Sequence, residues 1–119
     1  MESDKLKVVF HLDLDDTPTL MLALKFINNL FKDVGQENAE VAVLANAFAV
    51  KLFVKDSNTK FKEQLENLHN WGVKFYVCNN ALNTHCIDKS AIFEFCEIVP
   101  AGITKLIELQ KEGYAYVKT

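Results

Sequence analysis

Apolar residues along this chain fall into short continuous runs, separated by stretches of helical periodicity. Leu6 to Leu12 reads as a first strand. Thr17 can cap a helix with Pro18 at its first position. Leu20, Leu24, Ile27 and Phe31 then recur at helical spacing, and Gly35 closes the element. Val41 to Ala45 is apolar throughout and short enough to be a strand buried on both faces. Phe48 to Val54 is ambiguous, with a short helix the favoured reading. Asp56-Ser57-Asn58 is turn chemistry, and behind it Phe61, Leu65 and Leu68 mark a helix ending near Gly72. Val73 to Val77 forms a third strand that runs into Cys78, and a short helix covers Asn79 to about His85. Ile87 to Phe95 has no readable period. Glu97 to Val99 is a brief fourth strand before Pro100. Ile103, Ile107 and Gln110 with their neighbours form a last helix stopped at Gly113, and Tyr114 to Val117 is a fifth strand.

Strands alternating with helices predict a single domain over residues 1–119. Its expected class is α/β, a three-layer α/β/α sandwich with a mostly parallel sheet of about five strands. In such sheets ligands bind beyond the carboxyl ends of the strands, where loops and helix starts gather. Four groups then converge on one rim: Asp13 to Thr17, Asn46 to Phe48, Cys78 to Asn80, and Pro100 to Gly102. Asp13, Asn46, Asn79, Asn80 and Gly102 are the candidate binding residues, and Cys78 is the candidate catalytic group. A thiol at a strand-to-helix junction sits near unpaired backbone amides, which favour the thiolate. Partial exposure on the rim would let a reactant reach it.

Composition narrows the classes of function. The net charge of -3 and pI near 5.6 give no basic footprint, so no nucleic-acid partner is expected. Half of the residues are apolar and nine are Phe, which is rich for a small domain and predicts packing against further copies of the chain. Met1 to Lys7 is polar, and the apolar run after it is too short for a signal core or a membrane span. The three cysteines, at 78, 86 and 96, form neither an even framework nor a Cys-x-x-Cys pair. Free thiols in a reduced, cytoplasmic compartment, with no membrane contact, are therefore expected. His11, His69, His85, Cys86 and Cys96 lack metal-ligand spacing, so neither a metal nor a cofactor is expected. Cys86 is a candidate resolving thiol for Cys78, since a short helix could bring the two together. Tyr114 and Tyr116 alternate as one face of a strand would, for packing, and Phe93-Glu94-Phe95 is a candidate oligomer contact. Lysines 51, 55, 60 and 62 read as a solvated face, and the four glycines sit singly, without a phosphate loop.

The strand, Cys78 and small helix are followed by Ile98-Val99-Pro100-Ala101-Gly102-Ile103 and then by Leu109-Gln110-Lys111-Glu112-Gly113-Tyr114-Ala115-Tyr116-Val117. This order resembles the DsrE/DsrF/TusD-like family of sulfur-relay proteins over essentially the whole chain, and most of all its small stand-alone members. The resemblance implies a compact α/β/α sandwich assembled as trimers or hexamers. It also implies that Cys78 holds sulfur as a persulfide, exchanged with sulfur donor and acceptor proteins. Asn79-Asn80 stands where the relay subunits carry small residues, and these asparagines would supply hydrogen bonds to the developing anion. The alternative from another class is a non-enzymatic binding or assembly module that uses the same rim for a small ligand or a protein.

Asp13-Leu14-Asp15-Asp16-Thr17 after a strand resembles the first motif of haloacid-dehalogenase-type phosphatases. There the first Asp attacks phosphorus and the Asp two residues on handles the proton, with Mg²⁺ held nearby. Pro18 departs from that pattern and no later acidic pair completes a metal site. The competing reading is an acidic loop with an N-cap.

Overall fold

The structure, a computed structural model, describes residues 5–119; Met1 to Asp4, the first part of the polar start, lie outside the described residues. Five strands form one sheet: β1 (Leu6–Leu12), β2 (Ala39–Ala45), β3 (Lys74–Cys78), β4 (Cys96–Val99) and β5 (Ala115–Lys118). Four α-helices accompany them: α1 (Thr17–Val34), α2 (Lys62–Asn70), α3 (Asn79–Thr84) and α4 (Gly102–Lys111). Every strand pair is parallel, in the order β4-β3-β2-β1-β5. The expected three-layer α/β sandwich is therefore the fold, with a sheet that is wholly rather than mostly parallel.

The order explains the layers. From β1 the chain steps outward through β2 and β3 to β4, then returns to add β5 on the far side of β1. Right-handed crossovers that move one way put their helices on one face, and the return crossover puts its helix on the other. Accordingly Leu20 and Ile27 of α1, Leu65 of α2 and Leu82 of α3 share a core with Phe10, Val43 and Phe75. Leu106 and Leu109 of α4 share a second core with Val9, Leu44, Tyr76 and Tyr114. Central β2 has helices over both faces, and Val41 to Ala45 is buried throughout. Among the described residues no helix is long and apolar enough to cross a membrane.

Several local expectations shift. Asp16, not Thr17, caps α1: its Oδ1 accepts from Thr19 N–H at 2.7 Å, because Asp16 stands in extended backbone one residue before the helix, from where its side chain reaches a free amide of the first turn. Gly35 ends that helix as expected, with φ at +87°, where a residue without Cβ is favoured. The ambiguous stretch after β2 is a 3₁₀ helix, Ala47–Phe53, that buries Ala49, Val50, Leu52 and Phe53. On α4 the buried residues are Gly102, Leu106 and Leu109, while Ile103 and Ile107, which marked the helix in the sequence, are exposed.

Of the Phe93-Glu94-Phe95 segment, Phe93 is drawn into the core while Phe95 is partly exposed and Glu94 exposed. Phe93 is buried and stacks on Phe95 at 5.1 Å, and Phe95 packs edge-on against Phe75 at 5.4 Å. Their segment is held by tertiary pairing: Lys55 N–H donates to Ala91 O at 2.9 Å, Phe93 N–H to Phe53 O at 3.0 Å, and Val54 bridges Ile92.

Candidate functional site

The carboxyl ends of the parallel strands lie on one edge, and the backbone knits that edge together. Asn46 N–H donates to Leu12 O at 3.1 Å, and Asn80 N–H donates to Pro100 O at 3.3 Å. Cys78 is the last residue of β3 and the N-cap of α3, one position beyond the Ala45–Val77 pair, so it stands beside Asn46. Gly102, the first residue of α4, closes over both. A Cβ on Gly102 would lie 3.1 Å from Asn46 Cβ, 3.2 Å from Cys78 Cβ and 3.3 Å from Leu44 Cδ2. Glycine is what lets α4 settle this close to the strand ends. Cys78, Asn46 and Gly102 are thus brought together as the topology required.

The cysteine is more enclosed than expected, with 6% of its surface accessible in the single chain. The Asn80 backbone amide is committed to Pro100. Asn79 Oδ1 is buried and has no hydrogen-bond partner, an orphan acceptor directly after the thiol. Such a group costs about 1–3 kcal/mol of stability when left unsatisfied.

Two residues passed over at this edge are His11 and Tyr116. His11 lies on the same face of β1 as Val9, towards α4, and Tyr116 lies on the same face of β5 as Tyr114. His11 Nε2 is 2.8 Å from Asn46 Oδ1, and His11 Nδ1 is 2.6 Å from the Tyr116 hydroxyl. His11 thus bridges the two, one ring nitrogen bonded to the Asn46 carboxamide and the other to the Tyr116 hydroxyl. A hydrogen-bonded row runs from Asn46, just past β2, through His11 of β1 to Tyr116 of β5. It ends between β1 and β5, where the chain reverses its direction of winding, the place where open α/β sheets bind ligands. The readable signal was a histidine inside an otherwise buried strand, in register with the rim.

The other candidates lie elsewhere. Asp13 is paired with Lys118 Nζ at 2.8 Å, and Asp16 is the α1 cap, its carboxyl held below the usual range by the Thr19 hydrogen bonds. Among the described residues no three His, Cys, Asp or Glu side chains converge in a way that could hold a metal. Cys86 is exposed beyond the far end of α3, separated from Cys78 by the whole length of that helix, about 9 Å at the usual rise per residue. It lines a separate cleft of about 550 Å³ with Asp15, Lys51 and His85, and the larger cleft of about 640 Å³ runs beside Phe93, Phe95 and His69. Cys96 is partly exposed, and desolvation pushes its pKa up to about 12.

Fold and site together define a parallel α/β domain with a strand-end cysteine at its rim. The profile of the DsrE/DsrF-like family matches residues 6–119, and the chain belongs to that family. Among solved structures it is similar to MTH1491 of Methanobacterium thermoautotrophicum, described as a protein of unknown function. The two are 29% identical with a TM-score of 0.87, over 97% of this chain and 100% of that one. It also shares its fold with the ychN protein from E. coli, at 14% identity and a TM-score of 0.75, over 98% of this chain and 99% of that one. No curated protein matches the sequence.

Proposed function

We propose that this chain carries sulfur as a persulfide on Cys78. The observation that supports this most is the placement of Cys78 as the last residue of β3 on the carboxyl rim, against Gly102 and Asn46. In the proposed step the Cys78 thiolate attacks the outer sulfur of a donor persulfide. A Cys78 S–S bond forms, the donor S–S bond breaks, and its electron pair leaves with the donor thiolate. An acceptor thiolate then takes the outer sulfur by the same exchange and returns Cys78 as thiolate. The sulfur passes at a constant oxidation state, so no cofactor is consumed. Donor and acceptor are taken to be proteins or small thiols of a reducing, cytoplasmic compartment.

The burial of Cys78 favours a second reading, in which the same rim is a non-enzymatic binding module for a small ligand or protein. Incubation with a low-molecular-weight persulfide, followed by peptide mass spectrometry, separates the two. Added sulfur on Cys78 and its loss in Cys78→Ser are expected, with the variant still folded. A Cys78 that stays unmodified while the protein remains native would leave the binding module in its place.

The assembly is proposed to be a homo-oligomer, a trimer or a multiple of one. Support comes from Ile103 and Ile107, exposed on the single helix of the α4 face, and from Tyr116 on β5. The Asp13 to Asp16 loop is proposed to be structural, since Asp13 and Asp16 are already committed to Lys118 and to the α1 cap.

A further inference from the structure

We propose that the cleft between the start of α1, the 3₁₀ helix Ala47–Phe53 and the turn from His85 to Ala91 binds a small zwitterionic molecule of amino-acid type, its carboxylate on Lys51 and its ammonium group on Asp15. This is a second site, and it stands whether or not Cys78 carries sulfur. The cleft has a volume of about 550 Å³, the size of a small-ligand pocket. Its floor is apolar, made by buried Leu52 with half-buried Val54 and Ile87 beside it. Side chains with unused polar capacity stand around that floor. Among the described residues, Asp15, Thr17, Lys51, Ser57 and His85 all line the cleft and make no side-chain hydrogen bond or ion pair.

The charges select the ligand. Asp88, the other carboxylate of the lining, is already occupied: its Oδ1 accepts from Ser90 N–H at 2.9 Å and from the Ser90 hydroxyl at 2.8 Å. One free carboxylate, Asp15, and one free ammonium group, Lys51, remain on the same cleft without pairing to each other. A ligand of single charge would satisfy one of them and be repelled by the other, whereas a zwitterion satisfies both. Lys51 is steadied without losing its charge. Its Nζ lies 5.8 Å from the centre of the Phe48 ring, which also packs on the His85 ring at 5.2 Å. The Thr17 and Ser57 hydroxyls can donate to the carboxylate or accept from the ammonium group. Cys86, exposed on the same wall, reports on occupancy and is not required for binding.

The test uses Cys86 in the full-length protein and three methanethiosulfonates that share one leaving group. They end in an amino-acid zwitterion, an amine or a carboxylate. The Cys86 thiolate forms a disulfide with the reagent's sulfenyl sulfur, the bond to the sulfonyl group breaks, and methanesulfinate leaves with the electron pair. Each rate, read by peptide mass spectrometry, is divided by that of the same reagent with the urea-unfolded chain. The zwitterion should then exceed both others by about tenfold, the worth of one charge-assisted hydrogen bond. Lys51→Met should remove its lead over the amine, and Asp15→Asn its lead over the carboxylate. Both positions are exposed, so both variants should fold. In Cys86→Ser, S-methyl-L-cysteine should give saturable NMR shifts at Ile87 and Ala91 that its methyl ester and its N-acetyl derivative do not match. Equal normalised rates for the three reagents, or leads that survive both substitutions, would overturn the proposal, as would a folded Cys86→Ser protein without saturable shifts.

Discussion

At the residue scale, Gly102 carries the sharpest constraint in the site. Ala at an exposed helix position would gain up to about 1 kcal/mol over Gly. Here the new methyl would press on two Cβ atoms fixed to backbone, at 3.1 and 3.2 Å, and such overpacking costs about 1–3 kcal/mol. The crowding should win: Gly102→Ala is expected to lower stability in urea by about 1 kcal/mol and to slow Cys78 alkylation, and an unchanged midpoint would show that α4 can shift freely. The thiols should also rank by environment, Cys86 reacting first because it is exposed and Cys96 last because burial holds its proton to about pH 12. Unfolded Cys96 would ionise from about pH 8.5, so unfolding releases a proton between that value and about 12, and stability falls as pH rises across the window. Thermal melts of Cys96→Ala should fall less steeply above pH 9 than those of the wild type. Tyr76 and Tyr114, whose pKa values burial also raises, retain the remaining slope. Of the site itself, Cys78, Asn46 and Gly102 were legible because a parallel sheet sends every strand end to one edge. His11 and Tyr116 were not, because their meaning depends on β5 lying next to β1, a pairing between residues 105 apart.

At the scale of elements, legibility followed how local the stabilising contacts are. The helix α1 declares itself through Leu20, Leu24 and Ile27, all buried, and through a glycine stop. Its start was misplaced by one residue because Asp16 and Thr17 both carry capping oxygens, and only geometry shows which one reaches Thr19. Asp16→Ala should therefore lower the thermal midpoint more than Thr17→Ala does. The Asp16 carboxyl is held below its ordinary range, so its contribution is present above about pH 4 and is lost as pH falls through the lowered value. The difference between wild type and Asp16→Ala should accordingly narrow in acid, and a gap independent of pH would contradict the cap. The segment from Ile87 to Phe95 could not be read because its order comes from Val54, Lys55 and Phe53, over thirty positions earlier in the chain, and not from its own period. The last helix misled in the opposite way: Ile103 and Ile107 have core-like chemistry but lie on its exposed flank.

At the scale of the whole molecule, that flank has a consequence. The crossover rule leaves α4 alone on its face, packed over Leu44, Tyr76 and Val9, with the edge strand β5 beside it. Lys105 sits over the Tyr76 ring at 4.7 Å on one side of α4, which puts Ile103 and Ile107 on the other side, towards β1 and β5. Two exposed isoleucines and the half-exposed Tyr116 are costly to leave in water, and a second copy of the chain is the occupant proposed for them. Light scattering at micromolar concentration should give a multiple of the 13.5 kDa chain mass. Ile107→Lys should reduce it to the monomer with the fold retained, because a charge there meets water in the single chain but a buried apolar surface in the assembly. Met21→Lys, at one of the exposed apolar positions of α1 together with Leu22 and Phe26, serves as the rival test. Dissociation by Met21→Lys with Ile107→Lys still assembled would move the interface to the α1 face. A wild-type mass of one chain would remove the interface altogether, and Cys78 would then stand in solution with the burial the single chain gives it.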